Sequence, residues 1–189
     1  MKYNLFIPLL LTLCTTVVGQ TVISAIPPVD KSPLDMSYYP KDYPVLKAQG
    51  KGKDGPTARI IYSRPQKNGR SVFGELVHYN EIWRIGANEN TELEFYKDVT
   101  IGGKKVAKGR YSVFCIPNTT SWTVIINKDT DCWGAFKYDT KKDVLRTIVP
   151  ITSITTAVES FSAYFEPSIT NGFNLVFSWD NVRCALPIK

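Results

Sequence analysis

Four arginines stand where strand-like runs end: Arg64 and Arg70, on either side of Pro65-Gln66-Lys67-Asn68-Gly69; Arg84, in Trp83-Arg84-Ile85-Gly86-Ala87-Asn88-Glu89; and Arg146, just after Asp143-Val144-Leu145. A guanidinium offers a planar fork of donors to a carboxylate, a phosphate or a backbone carbonyl. Asn88 and Asn127 add amide donors and acceptors, Glu89 adds a counter-charge, and Trp83 or Trp133 offers a flat face for a sugar ring or a cation. Groups of this kind, contributed by separate strands and loops, are what a convergent ligand pocket requires. The same residue types build internal struts, in which arginine holds loop carbonyls and Arg-Asn-Glu clusters satisfy one another. Polar groups packed between core strands need partners in either case, so the sequence leaves pocket and strut both open.

Other chemistries fare less well. A Ser-His-acid triad has only His78 to use, and no Gly-x-Ser-x-Gly turn presents a serine. Cys115 lies inside an apolar run with no basic neighbour to activate it, which reads as a small buried hydrophobe. Glu89, Glu92 and Glu94 fall close together, and glycoside hydrolysis needs only two carboxyl groups across a bond, so Glu89 with Glu92 or Asp143 defines a hydrolase alternative. No Cys-x-x-Cys occurs, and one histidine is too few for a metal site. The sequence assigns no catalytic residue, no metal and no cofactor.

The elements that must position these side chains are strands. The 189 residues suit one domain behind a short targeting segment. Residues 1–19 read as a secretory signal peptide, with Lys2, an apolar run from Leu5 to Val18 and a small-residue cleavage site, which implies export to the periplasm or beyond. Leu11-Thr12-Leu13-Cys14 is a faint lipoprotein box, weakened by Leu13 before the cysteine. No later segment is apolar enough to span a membrane. Past the signal, Cys115, Cys132 and Cys184 remain, an odd number that permits at most one internal disulfide; a Cys115–Cys184 bridge stays open. The net charge of +6 is scattered in doublets such as Lys104-Lys105 and Lys141-Lys142, not gathered as a nucleic-acid footprint.

Residues 20–55 hold Pro27-Pro28, Ser32-Pro33, Tyr39-Pro40 and Tyr43-Pro44, so an extended Pro/Tyr-rich arm is expected, ending in the Gly50–Gly55 linker. Residues 56–189 read as one β domain. Strands are expected at Ala58–Ser63, Val72–Val77, Thr91–Tyr96, Val99–Ile101, Lys104–Val106, Arg110–Ile116, Trp122–Asn127, Val144–Val149, Val158–Phe165, Phe173–Trp179 and Val182–Leu186, with a turn of helix within 129–142. About ten short strands make an all-β fold, an antiparallel β-sandwich or flattened barrel. Phe173, Leu175, Phe177 and Trp179 form the leading core stripe, and Phe161, Ala163 and Phe165 the second.

Tyr62-Ser63-Arg64-Pro65, Gly69-Arg70, Phe73-Gly74-Glu75-Leu76-Val77, Trp83-Arg84-x-Gly86-Ala87-Asn88-Glu89-x-Thr91, Ala107-x-Gly109-x-Tyr111-Ser112, Trp122-Thr123-Val124-Ile125, Trp133-Gly134 and Asp143-Val144-x-Arg146 together resemble the exported bacterial family called domain of unknown function 2911. The likeness runs from about Ser32 to Lys189, and the chain departs from the family pattern at His78 and Asn80. The resemblance implies export from Bacteroidetes-type bacteria and brings no established activity. Read from the residues, the chain is expected to be a binding module for a small polar or anionic ligand, such as a glycan fragment. The expected ligand-binding set is Arg64, Arg70, Trp83, Arg84, Asn88, Glu89, Asn127 and Arg146. The alternatives are a structural or assembly protein of the envelope and the carboxylate hydrolase.

Overall fold

The computed structural model describes residues 25–189; the expected signal peptide and Cys14 lie outside them. Nine strands run β1 Leu34–Tyr39, β2 Ala58–Ser63, β3 Thr91–Phe95, β4 Val99–Ile101, β5 Lys104–Val106, β6 Gly109–Pro117, β7 Ser121–Asn127, β8 Asp143–Pro167 and β9 Phe173–Ile188. A short helix α1, Tyr43–Ala48, and a 3-10 turn, Thr140–Lys142, complete the elements. All strand pairs are antiparallel, in the order β1-β2-β3-β6-β7-β8-β9-β4-β5. The sheet stays open at β1 and β5, so the sandwich expectation holds and the barrel is not closed.

β8 makes the two layers. Its first part, Asp143–Pro150, pairs with β7, and its second, Ile151–Pro167, pairs with β9, with irregular register near Ser153, Val158 and Ser162. Such bulges bend a strand without ending it. The two runs expected at Val144–Val149 and Val158–Phe165 are therefore one strand, because the Ser and Thr residues between them are compatible with extended backbone and read only falsely as a break. In the same way Phe173–Trp179 and Val182–Leu186 join through Asp180, which sits at φ 52 within β9. The opposite correction applies to Val72–Val77. It is a looped turn closed by hydrogen bonds from Val77 N to Val72 O and from Gly74 N to Val77 O, both 2.9 Å. Its apolar residues mark burial of Val72 and Val77, while Gly74 at φ 100 leaves the extended region.

Period-two alternation sets the faces. On β3, Thr91, Leu93 and Phe95 are buried, while Glu94 faces outward to pair with Arg59 at 2.7 Å. Both expected stripes, on β9 and on late β8, are buried. Aromatics join the layers: Tyr62 meets Phe161 edge-on at 5.8 Å, and Trp122 stacks on Phe177 at 6.4 Å. Cys115 and Cys184 are buried free thiols and Cys132 is a partly covered one, so none of the three is bridged. The arm is more regular than expected. Its Leu34–Tyr39 portion joins the sheet as edge strand β1 and Tyr39 stacks on Phe173 at 4.1 Å, while α1 follows, with Pro44 where a helix's first turn tolerates proline. Among the described residues no helix is long and apolar enough to cross a membrane.

Candidate functional site

β2 ends at Ser63 and passes into Arg64-Pro65, opposite the loop that leads into β3. That loop is tightly held. Thr91 N donates to Arg84 O at 3.3 Å, the Thr91 hydroxyl donates to Ile85 O, and Ala87 N donates to Ser63 Oγ at 3.3 Å. Ile85, Gly86 and Asn88 have φ of 56, 136 and 57. A β-branched residue in the left-handed region costs of order 1–3 kcal/mol, and such strain collects at ligand clamps and switches. A side chain at Gly86 would be strained at φ 136 and would bring a Cβ to 3.3 Å from Ser63 O.

The loop delivers Arg84 to a cleft of about 290 Å³, lined also by Ser32 of the arm, Pro65, Arg70, Leu76, Val77, Trp83, Gly86, Ala87 and Trp179. The Nε of Arg84 is buried without a partner. Among the described residues no hydrogen bond or ion pair reaches its guanidinium, and burial lowers its pKa from the ordinary arginine value. Arg70 also lines the cleft, held by its own turn through Nε to Lys67 O at 2.9 Å and Nη2 to Gln66 O at 2.7 Å. No Asp or Glu lines this cleft. Its chemistry is that of an uncompensated positive concavity.

The other expected residues scatter around it. Arg64 is a strut, donating to Phe161 O at 3.2 Å, Asp35 Oδ2 at 3.0 Å and Ser162 Oγ at 3.1 Å, so it ties β2 to β8 and β1. Trp83 has no free face. It is 8% exposed, donates its indole N–H to Gly86 O, and packs against Phe73, Trp122, Phe161 and Trp179. Asn88 donates to Asp30 Oδ1 at 3.1 Å and so pins the arm near the cleft. Glu89 is exposed and has no ion pair among the described residues; its backbone bridges to Trp133.

That bridge leads to a second cleft, of about 390 Å³, on the outer face of β6 and β7 beneath the loop of residues 128–142. Cys132 N donates to Asn90 Oδ1, Asn90 N to Cys132 O and Gly134 N to Asn88 O, at 3.1, 3.1 and 2.9 Å, which docks the loop on the Asn88–Asn90 segment. Asn127, fully buried, staples the loop's other end: its Nδ2 donates to Asp139 O at 3.1 Å and Asp143 Oδ1 at 2.8 Å, and its Oδ1 accepts from Asp129 N at 2.7 Å. Arg146 donates to Asp143 Oδ2 and to the Tyr138 hydroxyl, both at 2.7 Å. Burial, with Asp143 beside it, pushes the Tyr138 phenol up to about 12. The amide of Asn127 and the fork of Arg146 are thus used inside the chain, one at the floor of the cleft and one beside it.

Sequence reading did not reach the walls of this cleft, Phe114, Phe136 and Tyr138, or its rim, Asp129, Asp131, Lys137 and Asp139. Of the lining, the residues that the sequence singles out as candidates are Asn127 and Trp133. The available signal was the density of aromatic and acidic residues in a segment that fits no strand. Of the hydrolase residues, Glu89 and Glu92 line one groove of about 140 Å³, about half the volume of the arginine cleft. Glu92 is also paired with Arg110 at 3.2 Å, and Asp143 belongs to the Tyr138 network. His78 is exposed on the loop before Trp83. Among the described residues no group of three or more His, Cys, Asp or Glu is placed to hold a metal ion.

Comparison with known proteins leaves the family as the one external anchor. No curated protein and no solved structure matches the chain. A family model does, over residues 46–188, from within α1 to the end of β9, so the match begins later than the residue-level likeness and leaves β1 outside it. The chain belongs to the family described as protein of unknown function DUF2911.

Proposed function

We propose that the protein is an exported binding module for a small oxyanion, a carboxylate or a phosphate, held between Arg84 and Arg70. One observation carries the reading: a partly buried guanidinium at a cleft with no counter-charge among the lining residues. An unpaired buried charge is costly, so a fold keeps one where a ligand supplies the missing partner. The strained Ile85–Gly86 turn and the arm pinned through Asn88 support it, since both fix the position of the fork. Export rests on the reading of residues 1–19, and fractionation of the native cell tests it: mature chain found in the cytoplasm counts against it.

The test is Arg84→Gln, measured by calorimetric titration with inorganic phosphate and with mono- and dicarboxylates, alongside urea unfolding. A site residue gives at least about tenfold weaker binding, the worth of one charged hydrogen-bonded partner, with stability unchanged or raised. A strut gives the reverse, lost stability with no anion bound by the parent protein, and that result ends the proposal. A second reading, assembly through the arm, is favoured by Leu34 and Met36, 60% and 54% exposed on edge strand β1. Light scattering on the chain with and without residues 20–53 decides it, an unchanged monomer counting against assembly.

A further inference from the structure

The cleft beneath the 128–142 loop differs in kind from the arginine cleft, and we infer that it is a separate site for a small organic cation of the alkylammonium type. Its walls are aromatic. Trp133 and Phe136 are 61% and 84% exposed, with Tyr138 beside them and Phe114 forming the floor, edge-on to Tyr138 at 5.0 Å. Single exposed aromatics are ordinary, but two on one short loop, over a cleft of about 390 Å³, form a patch that calls for an occupant. The Phe136 ring lies over Gly134, which sits at φ 65.

Charge decides what the walls receive. The rim carries Asp129, Asp131, Asp139 and Lys137, in a chain whose net charge is +6. Asp129 and Asp131 are ion-paired, with Lys142 at 2.7 Å and with Arg110, while Asp139 Oδ1 accepts only from Lys141 N at 2.9 Å, so among the described residues Asp139 is the rim carboxylate whose charge no side-chain cation pairs. The amide of Asn127 and the hydroxyl of Tyr138 are already used, so beyond the Trp133 indole N–H and Lys137 the cleft has few donors for an anion or a sugar. Ring faces attract cations through their quadrupoles, and a carboxylate rim adds to that attraction. A substituted ammonium matches both features: its methyl or methylene groups cover the rings and its charge meets the rim.

Trp133 is also its own reporter, because Trp83, Trp122 and Trp179 are 8%, 0% and 3% exposed. The full mature chain is titrated with choline and with tetramethylammonium at constant ionic strength, following tryptophan fluorescence and heat. Controls are 3,3-dimethylbutan-1-ol, the neutral counterpart of choline, and methyl glucoside. The expected result is saturable binding of both cations, weakened about tenfold for the neutral alcohol and for Trp133→Ala, each loss of the size a desolvated cation–π contact confers. Phe136→Ala gives the same direction, and neither variant shifts the unfolding midpoint. Equal binding of the alcohol, saturation by the glucoside in place of the cations, or no saturable cation binding overturns the inference. Arg84→Gln leaves the cation isotherm unchanged, so failure here is distinguishable from failure of the anion reading.

Discussion

The two clefts draw on one loop and differ in lining, two arginines in one and aromatic rings with carboxylates at the other. Arg84, Gly86 and Ala87 line the arginine cleft, while Asn88 and Asn90, the next residues along, hold the aromatic cleft's loop through Gly134 and Cys132. The arginine cleft is built on core: its wall residue Trp83 belongs to the aromatic cluster that joins the layers. The aromatic cleft is built on a surface loop, where Trp133 and Phe136 contribute little to packing. The difference teaches where a substitution reports stability and where it reports binding. In the first region the two are entangled, and only a residue such as Arg84, which binds nothing internal, separates them. In the second they are nearly independent.

The largest expected contrast is between two tryptophans. Trp83→Ala removes a buried ring and should cost about 3–5 kcal/mol in urea unfolding, whereas Trp133→Ala should stay within about 0.5 kcal/mol. Similar losses at both positions would break the distinction. Next, Asn127→Ala leaves Asp129 N and Asp139 O without their buried partner, and should cost about 2–3 kcal/mol; hydrogen exchange should then rise across residues 128–142 and not in the Arg84 loop. A spread of exchange into both loops would mean the clefts act as one unit. Gly86→Ala, strained at φ 136 and close to Ser63 O, should cost about 1–2 kcal/mol and weaken phosphate binding, with choline binding kept.

The smallest effect is a pH one. The fold raises the Tyr138 phenol from 10.0 to about 12, which stabilises the protonated form. That contribution is complete below pH 10 and is lost as the pH rises through 12. At pH 11 the tyrosinate absorbance of the protein and of Tyr138→Phe should therefore be nearly equal. A deficit of one tyrosinate in the variant would place Tyr138 near its ordinary value and loosen its tie to Asp143.

The strand series apart from Val72–Val77, and the core stripes of β8 and β9, were legible in the sequence. Periodicity and turn residues report which backbone is extended and which face is apolar, and both are local properties. Strand continuity was not legible. Whether Ser153 to Thr156 ends β8 or bends it depends on the partner strand, β9, that lies against it.

The sequence by itself determined an antiparallel β protein of this family, with arginine and asparagine concentrated before β3. Tertiary structure alone decided that Arg64, Asn127 and Arg146 are tied within the chain while Arg84 is left without a partner. It also gathered an aromatic cleft out of a segment with no periodic signal. The reason is physical: a side chain's type fixes which hydrogen bonds it can make, but only the approach of distant backbone decides which of them are already taken.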